Sequence, residues 1–214
     1  DERGFNALMQ GRPTSDSGDF FPSECFREYN DEKEIPPGMV YYGASDHSIG
    51  ARQEADRSCI GVIGVDCQMN IWVMPDLVWG RIETDKQVDE LIRLAKKYNC
   101  QSWFPEDENI RKAIGPFLRK RMMEERCQTS IIPQRPSKDK VAMATSLQGM
   151  IKMRRVFFPS FAWWWNPSQK RMSNKKIVPS ARREMVKFPR APHDDFVSFM
   201  SLACFGLDWM WKAV

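Results

Sequence analysis

Apolar and polar positions fall into short runs along most of the chain, and the period of those runs switches between two and about three and a half. Residues 1–38 are the exception. They are rich in Gly, Pro, Ser and acids, with Phe20-Phe21 and Phe26 as isolated apolar anchors, and predict an extended lead-in. From Met39 the pattern becomes β-prone, and MVYYGAS running to Asp46 predicts a first strand. A polar loop from His47 to about Arg57 leads to SCIGVIGVD, a second strand. Asp66-Cys67-Gln68-Met69-Asn70 reads as a turn and IWVMPDLVW as a third strand, so the two form a hairpin.

Helical spacing begins at Thr84. Val88, Leu91, Ile92 and Ala95 share one face of a helix running to Tyr98, with Thr84 as N-cap. CQSWF is a short fourth strand that ends at Pro105-Glu106. Glu108 to Arg126 is a second helix, apolar at Ile110, Ile114, Phe117, Leu118 and Met122, and Thr129 to Ile132 is a fifth strand. Ser137 caps a third helix ending at Lys152. Arg155 to Pro159 is extended, and Trp163-Trp164-Trp165 lead into a basic loop. Two helices close the chain, Pro179 to Lys187 and Asp194 to Leu207. The order βββαβαβα predicts an α/β fold, a mixed central sheet of about five main strands flanked by helices. There is no internal repeat.

Composition bounds this picture. The chain has 214 residues, 42% hydrophobic and 28% charged, which suits one globular domain. No apolar run approaches the roughly 20 residues of a membrane-spanning helix, and no signal peptide opens the chain. It begins at Asp1 rather than Met, as expected of a segment of a longer polypeptide. Six cysteines form no CxxC pair and only two histidines exist, so zinc-site spacing is absent. The cysteines read as reduced, buried thiols of a cytosolic protein. Net charge is only +4, but residues 151–193 hold eleven Lys or Arg against one acid, Glu184, a local +10. A solvated surface is the commoner meaning of one charge run. The pairs Arg154-Arg155, Lys170-Arg171, Lys175-Lys176 and Arg182-Arg183 point instead to a polyanion partner.

The acids of interest fall at element ends. Asp46 closes the first strand. Glu106, Asp107 and Glu108 follow the fourth, and Asp194 and Asp195 open the last helix. Taken singly, each has a plainer role, as a turn residue, a first-turn acid or an N-cap. With strands one and four adjacent and parallel, however, the carboxylates reach one edge of the sheet, where open α/β sheets bind ligands. Carboxylates without a histidine cluster suit a hard divalent cation. Two such ions about 4 Å apart serve phosphodiester hydrolysis. His47 reads as a solvent-facing loop residue, and neither it nor His193 is assigned a catalytic role.

These residues resemble the nuclease domain of a tailed-phage large terminase subunit, a ribonuclease-H-like endonuclease. FNALMQGRPTSDSGDFFPSECFREY is similar to the segment joining that family's ATPase motor to its nuclease. YYGASDHSIG resembles the first catalytic strand, ADRSCIGVIGVDCQMNIWVMPDLVWGR the hairpin after it, and SWFPEDENIRKAIGPFL the second acidic motif. KFPRAPHDDFVSFMSLA resembles the closing motif, in which an FP pair leads to paired Asp residues. The sequence departs from the family where His47 directly follows the first Asp and where Ser198 replaces a further helix Asp.

The resemblance implies residues 1–38 as the lead-in from an ATPase domain and 39–214 as a nuclease domain with the ribonuclease-H-like fold. It implies a metal-dependent endonuclease cutting concatemeric double-stranded viral DNA during genome packaging. Asp46 would bridge two Mg²⁺ or Mn²⁺ ions, Glu106 (with Asp107 as fallback) would hold one, and Asp194 with Asp195 the other. Lys138, Lys140, Arg154, Arg155, Lys170, Arg171, Lys175 and Lys176 are the expected DNA-backbone contacts. The implied partners are double-stranded DNA, the upstream ATPase domain, the small terminase subunit and the portal protein, with no membrane, in the host bacterial cytoplasm. No GxxxxGK[ST] loop is present, so these residues carry no ATPase site. The alternatives are a junction resolvase or transposase-type nuclease of the same fold and a non-catalytic DNA-binding or motor-docking module.

Overall fold

The computed structural model describes residues 19–48, 57–107, 114–135, 139–160, 163–166, 171–173 and 178–212. The first two predicted strands are β2 (Val40–Asp46) and β3 (Ser58–Val65). They run antiparallel in unbroken register, from Val40 opposite Val65 to Asp46 opposite Cys59. On the other side of β2 lies β6 (Ser102–Pro105), parallel to it, with Ser45 opposite Pro105. Parallel partners need a long crossover, and α1 (Thr84–Lys97) brings the chain back to start β6. β7 (Ser130–Ile131) extends the sheet beyond β6, again parallel.

On the far side of β3 the sheet forks. The run IWVMPDLVW is not one strand but two, β4 (Ile71–Val73) and β5 (Asp76–Gly80), both antiparallel to β3. Val73 lies opposite Ile63 and Val78 opposite Ile60, and the Met74 N–H still donates to the Val62 carbonyl, so the two extra residues bulge at Pro75-Asp76, where proline has no N–H for the ladder. One branch continues from β4 to β8 (Val156–Pro159) and then β1 (Arg27–Tyr29), each pair parallel. The other continues from β5 to β9 (Trp163–Asn166), parallel, and then to its antiparallel partner β10 (Arg171–Ser173). The tryptophan run, to which the sequence pattern assigns no element, and part of the basic segment after it, expected as a loop, thus form two antiparallel strands, because three strand-favouring residues meet the open edge of β5. The lead-in also enters the sheet. β1 belongs to it, and Tyr29 is buried with its hydroxyl donating to the Val73 carbonyl at 2.6 Å.

Two helix starts differ from expectation. Thr84 is the first helical residue of α1, after Glu83 at the cap position, and no side chain caps that end. Ser137 lies outside the described residues. The cap of α3 (Lys140–Lys152) is Asp139, which accepts from the Val141 and Ala142 amides. The second predicted helix is described from Gly115 to Glu124, as α2. The last two helices are α4 (Val178–Lys187) and α5 (Asp195–Lys212), and α5 runs past Leu207 because no breaker follows it.

Strand alternation divides the core in two. Tyr42, Ala44, Cys59, Ile63 and Phe104 face α3, α4 and α5, meeting Leu147, Met185, Phe199 and Ala203. Ile60, Val62, Val78 and Trp103 face α1 and α2, meeting Leu91, Leu94 and Leu118. Close approach of α5 to the sheet depends on Gly206, where a Cβ would lie 2.3 Å from the Phe104 ring. Cys59, Cys100 and Cys204 are buried as expected. Cys25 and Cys127 are only partly buried, and Cys67, in the β3–β4 turn, is exposed. No described helix is long and apolar enough to cross a membrane.

Candidate active site

Register alone assembles most of the site. Trp79 on β5 pairs with Cys59 on β3, and Cys59 pairs with Asp46 on β2. Glu106 follows β6 one residue past the Ser45–Pro105 pair, and its N–H donates to the Ser45 carbonyl at 3.2 Å. Paired residues share a face, so Trp79, Cys59, Asp46 and Glu106 form one row across the sheet, on the side that α5 covers. The Asp46 and Glu106 carboxyl groups hydrogen-bond to each other.

The start of α5 supplies the other two acids. The Ser198 amide donates to the Asp194 carbonyl at 2.7 Å, the first turn of the helix. Asp194 does not use its side chain as a cap. Glu184 on α4 does that work, accepting from the Phe196 and Val197 amides at 2.7 and 3.0 Å. The Asp194 carboxylate is thereby free to meet Lys140, whose Nζ donates to both its oxygens at 2.8 and 2.6 Å. Asp195 is buried and accepts from Trp79 Nε1 at 3.1 Å. The Phe188–Pro189 peptide in the loop before α5 is cis.

Electrostatics follow from this crowding. Burial, and after it the charge and hydrogen bond of Glu106, hold the Asp46 carboxyl well above the usual range, with Asp195 and Asp194 adding smaller repulsions. Asp46 therefore holds its proton more tightly than an ordinary carboxyl group does. Burial raises Asp195 too, against the pull of the Trp79 N–H and the positive fields of His193 and Arg57. Burial pushes Glu184 up to about 8, partly offset by the two amides it caps. The Cys59 thiol is held far above its ordinary value by burial and by the surrounding acids, so it stays neutral.

The structure separates Glu106 from Asp107. Asp107 is buried and turned to Arg135, whose Nε donates to it at 2.9 Å, while Glu106 meets Asp46. The carboxylate-only donor set fits a hard divalent ion. Among the described residues, no three His, Cys, Asp or Glu side chains converge closely enough to grip a metal ion.

His47 does not face solvent. It is 1% exposed and points to the opposite face from Asp46. Trp103 Nε1 donates to Ser45 Oγ at 2.9 Å, Ser45 Oγ meets His47 Nε2 at 2.7 Å, and His47 Nδ1 meets Gln87 Oε1 at 2.8 Å. Gln87 Nε2 then donates to the Ser48 and Ile82 carbonyls. With no acceptor role left for Nδ1, the ring is the neutral Nδ1–H form.

The basic residues divide by location. Lys140 stands in the acidic site. Arg154 and Arg155 lie just before β8, at the end of the sheet where Val40, Val65, Ile71 and Val156 align. That is six residues along β2 from Asp46, roughly 20 Å away. Arg155 there donates to the Gln68 carbonyl. β9 ends at Asn166 and β10 begins at Arg171 toward the carboxylate edge, as the pairing of β9 with β5 requires. Lys138, Lys170, Lys175 and Lys176 lie outside the described residues. Sequence reasoning missed Trp79, Glu184 and the engagement of Lys140. Glu184 had a signal, since it is the lone acid in the basic stretch.

No protein-family model matches the chain, and no curated protein matches it. Solved structures do. The large terminase nuclease of thermophilic phage G20c aligns with a TM-score of 0.52 at 16% identity, over 87% of this chain and 97% of that one. Its magnesium-bound form aligns at 0.51 and 15%, over 89% and 98%. The manganese-soaked human cytomegalovirus terminase nuclease domain aligns at 0.57 and 8%, over 86% and 92%. The likeness is one of fold: the chain has the ribonuclease-H-like fold of large-terminase nuclease domains.

Proposed function

We propose that the chain is a divalent-metal-dependent endonuclease that cuts double-stranded viral DNA during genome packaging. The observation that carries this reading is the carboxyl pair Asp46–Glu106 at the ends of adjacent parallel strands, with Asp194 and Asp195 brought over it by α5. A fold shared with terminase nucleases, one bound to magnesium and one soaked in manganese, supports the same site chemistry.

Asp46, Glu106, Asp194 and Asp195 would hold two Mg²⁺ or Mn²⁺ ions, with Glu106 favoured over Asp107. When bound, the ions supply an activated water and charge stabilisation for phosphodiester hydrolysis. The chain's own residues do the rest. The Trp79 N–H fixes Asp195, and Glu184 fixes the start of α5. The buried Ser45–His47–Gln87 chain fixes the end of β2. Lys140 and Arg171, at or toward the carboxylate edge, suit contact with the DNA backbone. Lys138, Lys170, Lys175 and Lys176 are proposed with them. The lead-in would join an upstream ATPase domain, and the small terminase subunit and portal protein would be partners in the infected bacterial cytoplasm.

Asp46→Asn tests the reading. The variant should fold and lose Mn²⁺-dependent plasmid cleavage by more than the roughly 10–100-fold typical of changes outside the ligand sphere. Undiminished cutting by a folded Asp46→Asn protein would overturn the assignment.

A further inference from the structure

Lys140 sits where a cation is wanted. Its Nζ lies within hydrogen-bond reach of both oxygens of Asp194, so the ammonium covers the carboxylate that would otherwise face an incoming ion. The base of Lys140 is fixed. Asp139 caps α3 at that point, and α3 packs on α5 through Ala144 and Leu147, with a hydrogen bond from Ser146 to Asp208. Its tip is open to solvent, the side chain being 66% exposed and that of Asp194 25%. An exposed ion pair on a flexible four-carbon stem is weak and exchangeable. A phosphodiester arriving at the same edge offers the ammonium an alternative anion.

We propose that Lys140 is a transferable counter-ion. In the DNA-free protein it neutralises Asp194 and competes with a divalent ion for that carboxylate. When DNA arrives, the ammonium moves to a backbone phosphate and leaves Asp194 to the ion. Metal loading is thereby coupled to substrate. This inference rests on the nuclease reading and concerns a positioning residue, not a catalytic one.

Two measurements test it without an activity readout. Mn²⁺ binding to the DNA-free chain is followed by electron paramagnetic resonance for wild type, Lys140→Gln, Lys140→Arg and Arg57→Gln, with thermal melts to establish folding. Lys140→Gln should bind Mn²⁺ roughly two- to fivefold more tightly, and Lys140→Arg should stay near wild type. Arg57, whose charge acts on Asp195, controls for the general field, and Arg57→Gln should shift affinity less. In EDTA, Asp194→Asn should bind a short duplex more tightly than wild type, and adding Lys140→Gln should abolish that gain. Equal effects of Lys140→Gln and Arg57→Gln, or additivity in the duplex cycle, would overturn the inference while leaving the nuclease reading intact. Absence of Mn²⁺ binding and of Mn²⁺-dependent cleavage in wild type would overturn the nuclease reading itself.

Discussion

His47 follows Asp46 directly and faces the other way, which is what a strand does to consecutive residues. It is sealed among Ser45, Gln87 and the strand end, and burial holds its imidazole down to about 4. The unfolded chain binds a proton near 6.5 that the folded chain refuses. This contribution to stability is present above pH 6.5 and is lost as pH falls toward 4. Between pH 7 and pH 5 the metal-free protein should lose on the order of 2 kcal/mol through this residue. Urea unfolding of wild type and His47→Gln in EDTA checks it: the gap between the two pH values should shrink in the variant. The sequence shows a histidine next to an acid and no more, because its fate depends on Gln87, forty positions away and on another element.

At the scale of elements, placement of α5 is the decision that makes the site. Asp194 and Asp195 meet Asp46 only if the helix starts at the right height over the sheet, and Glu184 sets that start by capping two amides from outside the helix. Glu184→Ala leaves both amides unpaired and should lower stability by about 1–2 kcal/mol with a larger proportional loss of cleavage. Glu184→Gln keeps an acceptor oxygen and should retain most of both. Paired melting curves and plasmid-cleavage rates decide it. Elements with strong local signals were legible. β2, β3, α1, β6 and the helix after Asp194 follow from period, whereas the meeting of Asp46 with the end of β6 followed only on the condition that those two strands lie side by side and parallel. What stayed hidden was set by distant partners. β9 exists because β5 has an open edge, β1 because β8 does, and the bulge at Pro75-Asp76 splits a run that looks continuous in one dimension.

For the whole molecule, charge is apportioned by position and not by run. The described part of the +10 segment spans both ends of the sheet: Arg154 and Arg155 stand at the opposite end of β2 from Asp46, whereas β10 begins at the carboxylate edge with Arg171. Arg154→Gln with Arg155→Gln should leave plasmid cleavage at low salt within about twofold of wild type, and Arg171→Gln should weaken DNA binding and reduce its salt dependence. Equal losses from both would show that the far end also holds the duplex. The fork in the sheet has a mechanical meaning as well. A pull arriving at residue 19 meets Phe20 and Phe21 against Phe188, then β1 against β8, then the Tyr29 hydroxyl on Val73. Those rungs lie on the β4 branch, beyond the proline bulge. The row of Asp46 and Glu106 runs through β5, β3, β2 and β6, outside those strand rungs, whereas Phe188 lies in the loop that leads into Asp194 and Asp195. A pull on that end would therefore load the loop before α5 through Phe188 as well as shear β1 from β8, and it would reach Asp194 and Asp195 before Asp46 and Glu106.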